Sequence, residues 1–197
     1  MKRLAAILLC LIMALALAGC GGQETAAGNE ITALLDEGYT TCCTSCGDTS
    51  WAGIFQKGNS WDSVYRVTAA MTEAQSEAFM NIGYEDDYEA EERQILGQLS
   101  DVTVTDITDK VPAQEELDAW VGRTMGDLEA DGFARNGYMG DPETGYEFIF
   151  DGPVYSLDVT AAEAVDDLDN YSENDLRGLA IGSVRFAGFS FQLLEES

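Results

Sequence analysis

Residues 51–67 read WAGIFQKGNSWDSVYRV, and residues 146–159 read YEFIFDGPVYSLDV. Each is an apolar, aromatic run, then a turn holding glycine, then a second run. The turns are Lys57-Gly58-Asn59 and Asp151-Gly152-Pro153. Short β-branched and aromatic runs bounded by glycine or proline are strand signals, so each stretch predicts an antiparallel hairpin. The two also match one another. Trp51, Ile54 and Phe55 align with Tyr146, Ile149 and Phe150 at an offset of 95, and Tyr65 and Val67 align with Leu157 and Val159. Trp51, Trp61, Tyr65, Tyr146, Phe148 and Phe150 are read as a buried sheet face rather than a ligand platform, because aromatics recur at period two.

The likeness extends outward in both directions, as an internal repeat would. Upstream, Asn29 is a helix N-cap for a turn carrying Ile31, Leu34 and Leu35 that stops at Gly38 before Tyr39. At an offset of 94, Met125, Leu128, Gly132 and Phe133 repeat this pattern, with Thr124 and Asp127 as a capping box. Downstream, both copies reach Thr-Ala-Ala, at Thr68 and Thr160. Each then has a helical or acidic segment and a last strand, in which Leu99, Val102, Val104 and Ile107 match Leu176, Leu179, Ile181 and Val184. The first copy carries a longer insertion, read as two helices around Phe79 and Met80 and over residues 88–99. Pro112, Leu117, Trp120 and Val121 predict a short helix between the copies. Phe189, Phe191 and Leu193 alternate with Ser190, Gln192 and Leu194, which predicts an extra strand at the end.

The fold class expected is α+β: two tandem similar modules, each a short helix packed on a small antiparallel sheet with the far face wet. The first module, with its helical insertion, covers residues 30–109 and the second residues 110–197. In outline this resembles the paired modules of β-lactamase-inhibitor-like proteins. Val121 to Leu128 (VGRTMGDL), with Asp131-Gly132-Phe133, is also similar to uncharacterised small acidic lipoproteins of Gram-positive anaerobes and, more faintly, to the opening of a PASTA module.

The start of the chain indicates where the rest works. Lys2 and Arg3 precede an apolar run of 15 residues from Leu4 to Ala18, closed by Leu17-Ala18-Gly19-Cys20. This is the pattern of a secretory signal peptide. At about 1.5 Å per residue it is too short for a hydrocarbon core of about 30 Å. It resembles the lipobox of bacterial lipoproteins. That resemblance implies removal of residues 1–19 and palmitate-type acylation of Cys20, giving a membrane-anchored protein of the cell envelope on the extracytoplasmic face. Each buried methylene contributes about 0.8 kcal/mol to such an anchor. Residues 20–29 then form a flexible tether with a reach of about 15–18 Å.

Composition excludes some partners. Lys+Arg number 10, Asp+Glu 36 and His 0, a net charge of −26, and loss of Lys2 and Arg3 makes the remainder more negative still. Such a body is repelled by phosphate backbones and anionic headgroups, so nucleic acid is an improbable partner and a cationic or neutral protein, peptide or envelope component is favoured.

The residues that carry chemistry are few. Cys42, Cys43 and Cys46 (TCCTSCG) embed one Cys-x-x-Cys. The favoured reading is a loop holding a disulfide or inert thiols. Redox and metal readings stay open, although a zinc site wants four ligands and there is no histidine. Acidic runs at Glu85, Asp86, Asp87, Glu89, Glu91 and Glu92, and at Asp166, Asp167, Asp169, Glu173 and Asp175, break the calcium-loop order and read as solvated faces. A Ser-His-Asp triad is excluded without histidine, and a Ser-Lys dyad has only Lys57 and Lys110. The sequence therefore predicts a non-catalytic, lipid-anchored binding or interaction module with no metal, cofactor or catalytic residue. Its alternatives are a thiol-redox or hydrolytic envelope enzyme using Cys43 and Cys46 or a carboxylate pair, and a structural spacer.

Overall fold

A computed structural model describes residues 29–58, 60–82 and 88–195. The segments expected to be a signal peptide, the acylated Cys20 and a tether, up to residue 28, lie outside the described residues, as do Glu85, Asp86 and Asp87. In chain order the elements are α1 Glu30–Asp36, β1 Tyr39–Cys46, β2 Ser50–Lys57, β3 Ser60–Ala70, α2 Glu73–Met80, α3 Tyr88–Leu96 and β4 Ser100–Asp106. They continue with α4 Gln114–Asp118, α5 Met125–Ala130, β5 Ala134–Asp141, β6 Gly145–Asp151, β7 Tyr155–Ala161, α6 Glu173–Gly178, β8 Ile181–Phe189 and α7 Phe191–Glu195. Single 3-10 turns lie at Thr108–Lys110 and Leu168–Asn170.

The chain is α+β. It forms two four-stranded antiparallel sheets in the orders β1-β2-β3-β4 and β5-β6-β7-β8. Their registers agree strand by strand. Phe55 faces Tyr65 where Phe150 faces Leu157, and Val67 faces Val104 where Val159 faces Val184. Both first strands carry a β-bulge at the same place, between Thr41 and Cys43 and between Arg135 and Gly137. These pairings describe two similar modules. They also correct the expected alignment of the last strands: Val104 corresponds to Val184, whereas the alternation had paired Ile107 with it. Ile107 lies past the end of β4 and is buried, and Val104 on the edge is 36% exposed.

Local sequence explains much of this. Asn29 caps α1 by accepting from the Ile31 and Thr32 N–H groups, while its Nδ2 donates to the Leu96 carbonyl at 2.6 Å and the Leu99 carbonyl at 3.1 Å. One side chain thus ties the start of α1 to the end of α3. Thr124 and Asp127 close a capping box on α5. After each of these helices the backbone turns left-handed, at Gly38 (φ +86°) and Gly132 (φ +98°), a conformation that penalises any Cβ.

Three buried clusters hold the described residues. Ile31 and Leu34 share one with Trp51, Phe55, Val67 and Leu96. Met125 and Leu128 share another with Phe148, Phe150, Leu157 and Val159. The third joins residues of both sheets: Ala52, Ile54 and Val64 with Phe189, Leu193 and Leu194. Trp61 stacks edge-on against Phe186 at 4.8 Å and Phe189 at 5.9 Å on the same side.

Strand β2 is therefore buried on both faces, Trp51 and Phe55 on one and Ala52 and Ile54 on the other. On the second sheet the corresponding face carries charged side chains, where Arg185 pairs with Glu147 and, at 3.6 Å, with Asp158. The expected wet far face does not hold for the first sheet. The cover there is the chain's end, which is a helix, not the predicted strand. The Ser190 hydroxyl accepts from the Gln192 N–H at 3.2 Å and starts the turn. A helix lets the adjacent Leu193 and Leu194 both bury, leaving Phe191 65% exposed; a strand would have buried Phe191 and turned Leu194 outward.

Two strands that were not expected are present among the described residues, β1 and β5. Each is an edge strand, made largely of Thr, Cys and Ser or of polar residues and Gly, so no apolar alternation marks it. Val121, assigned to the apolar side of a linking helix, lies beyond α4 and is largely exposed.

Candidate functional site

Cys42, Cys43 and Cys46 lie on β1, not in a loop. In a regular strand successive side chains point to opposite faces, which would separate Cys42 from Cys43. The bulge changes that. Thr41 pairs with Phe55 and Cys43 with Ile54, so Cys42 is the extra residue, and its sulfur comes within 4.0 Å of the Cys43 sulfur. The Cys42 thiol also donates to the Ile54 carbonyl at 3.4 Å. The Cys42 pKa is lowered chiefly by its hydrogen bond with Cys43. The Cys43 pKa is raised by that same bond, then by burial and by the charge of Cys42.

Cys46 belongs elsewhere. It packs against the cluster of Trp51 and Phe55, with its sulfur 3.7 Å from Met71 Sδ and 3.8 Å from Ser76 Oγ. Cys43 packs against the opposite cluster, that of Ile54 and Leu194. The Cys-x-x-Cys spacing thus places its two sulfurs on opposite faces of the sheet. All three thiols are free.

A cleft of about 560 Å³ opens between the end of α1, the start of β1 and α3, lined among others by Tyr39, Tyr88, Glu89, Glu92 and Arg93. Its cation is already engaged, because Arg93 pairs with Asp36 at 2.5 Å. Burial, and then the Glu89 carboxylate, push the Glu92 carboxyl up from its usual range. Glu89 likewise raises the Tyr88 phenol, whose hydroxyl donates to it at 3.3 Å. In the second module a smaller cleft of about 310 Å³ lies between β5 and α6. There Arg135, paired with Glu173, occupies the rim, and the exposed Tyr138 stacks on Tyr146 at 5.6 Å.

The remaining candidates have structural roles. Lys57 Nζ sits 5.3 Å over the Tyr39 ring and Lys110 lies 3.8 Å from Asp109. Asp167 accepts from the Asp169 N–H, and Asp175 closes a capping box with Ser172, which lowers its pKa. Trp51, Phe55, Phe148 and Phe150 are buried, while Trp61, Tyr65 and Tyr146 are half-buried at the cluster margins. Among the described residues, no three His, Cys, Asp or Glu side chains converge as a metal site, and no helix is long and apolar enough to cross a membrane. Sequence reading missed the α3 cleft, because its residues come from segments about 50 positions apart. It also missed the Cys42–Cys43 approach, since nothing in TCCTSCG signals a bulge. Comparison with protein families, curated proteins and solved structures finds no match.

Proposed function

We propose that this chain is a lipid-anchored, non-catalytic binding module. Cys20 carries the acyl chains at the outer face of the cytoplasmic membrane, and two α+β modules, each a helix resting on its sheet, are held beyond it. The leader supports the anchor: a positive start, a short apolar run and Leu-Ala-Gly-Cys. The acid surplus supports a cationic or neutral partner. The observation that carries the binding reading is the α3 cleft, where two carboxylates flank exposed Tyr88 and the lining arginine is already paired with Asp36. An aromatic face beside carboxylates suits an ammonium or guanidinium group. The opposed faces of Cys43 and Cys46 weigh against a dithiol enzyme built on that pair.

Cross-linking in intact cells followed by pull-down tests this reading. A basic or neutral envelope component retained by the wild-type chain and lost from a Glu89→Gln/Glu92→Gln variant is the expected result. Retention unchanged in that variant, or no specific partner, refutes the cleft. Mass spectrometry finding residue 20 unmodified, or the leader retained, refutes the anchor.

A further inference from the structure

We propose that Cys42 and Cys43 form a two-thiolate site for a soft monovalent cation of the Cu(I) class, built by the bulge in β1. The two sulfurs stand 4.0 Å apart. Two metal–sulfur bonds of about 2.3 Å span at most about 4.6 Å, so an ion between them needs a small opening and no change of fold. A disulfide between the same residues fits poorly. It requires a sulfur separation near 2.05 Å and Cα atoms at least about 4.4 Å apart, whereas consecutive Cα atoms across a trans peptide lie about 3.8 Å apart.

Ligand number selects the ion. Thiolates favour Cu(I) and other soft ions, while zinc wants four donors. No third acidic or thiol side chain converges here among the described residues, and Cys46 is on the opposite face. A two-coordinate ion is therefore the one this pair can satisfy. Cys42 is exposed and gives access, and its thiol is held by the Ile54 carbonyl at 3.4 Å, which fixes one sulfur before the ion arrives. Binding exchanges protons for metal: two thiols and one Cu(I) give one anionic bis-thiolate and two released protons. The second module has the same bulge at Asn136, but that side chain donates to Asp151 at 2.7 Å and offers no sulfur. Among the described residues, only the first module carries the site.

The test titrates the full-length protein, purified in detergent and fully reduced, with Cu(I) under anaerobic conditions against a chromogenic Cu(I) chelator. Wild type and Cys46→Ser should each withdraw the same copper, and Cys42→Ser and Cys43→Ser should each lose one equivalent. All these variants share every other cysteine, so a loss specific to positions 42 and 43 reads this pair. X-ray absorption of the loaded Cys46→Ser protein should show two sulfur neighbours per copper, a readout that does not depend on the stability of the Cys42 and Cys43 variants. Equal loss in Cys46→Ser, no loss in Cys42→Ser, no copper withdrawn by wild type, or three sulfur neighbours would overturn the proposal. A Cys42–Cys43 disulfide in protein isolated from the envelope would overturn it too.

Discussion

Gly53→Ala tests how the first sheet is packed. The two β2-like strands fill the same space differently: Trp51-Ala52-Gly53 in one copy and Tyr146-Glu147-Phe148 in the other. At Gly53 an added Cβ would lie 2.5 Å from Trp51 Cη2, 2.8 Å from Cζ2 and 3.2 Å from Thr41 Cγ2. The Trp51 ring is folded over the glycine, at the register position that Phe148 holds in the second module. At 1% exposure it has no free space to move into. Overpacking of this kind costs about 1–3 kcal/mol. Replacing glycine in an ordinary strand conformation returns about 0.4–1 kcal/mol through the unfolded chain. At the midpoints of these ranges the net loss is about 1.3 kcal/mol, and at about 2–4 °C per kcal/mol Tm should fall by about 3–5 °C. Near-ultraviolet circular dichroism and thermal melting report it. The partner experiment is the double variant Trp51→Tyr/Gly53→Phe, which writes the second copy's pattern into the first. It should be more stable than the sum of its single changes allows, with a coupling of about 0.5–3 kcal/mol. A Gly53→Ala protein melting at or above wild type, or strictly additive effects, would refute the packing argument.

Two further outcomes follow from the same structure. Leu194→Ala should cost about 2–5 kcal/mol in chemical denaturation, because Leu194 is 2% exposed against Ile54 and Val64. Phe191→Ala, at 65% exposure, should stay within about 0.5 kcal/mol of wild type; the reverse order would restore the strand reading of the tail. Glu92→Gln should change stability with pH. The raised carboxyl pKa means the folded state holds its proton to higher pH than the unfolded chain, whose value is about 4.3. The folded form is thus favoured at low pH and loses stability as pH rises from that value through the folded one. Tm of the variant should exceed wild type at pH 7 and match it near pH 4; a gain equal at both would remove the charge explanation.

Where the sequence was legible, the signals were short-range. Asn29, Thr124 and Asp127 cap helices within three residues of themselves, and Gly38 and Gly132 end them. The aromatic runs of β2 and β6 and the turns at Gly58 and Gly152 lie within one hairpin each. Strands β1 and β5 were not legible, because each has a single strand neighbour and needs no apolar alternation to be held. Ile107 matched the wrong partner for a related reason. An offset between unequal insertions is settled by which residues pair across the sheet, and the order of apolar residues alone does not give it.

By itself the sequence determined an α+β chain written in two copies, with a strong acid surplus, because charge, caps, turns and hydrophobic period are properties of neighbouring residues. Tertiary structure alone decided that β2 is buried on both sides, that the tail folds as a helix over it, and that Cys42 meets Cys43 and not Cys46. Those outcomes depend on groups far apart in the chain, such as Arg66 donating to the Leu194 carbonyl at 3.4 Å across 128 positions. They also depend on one unpaired residue in an edge strand, whose direction is set by Phe55 and Ile54 on the neighbouring strand.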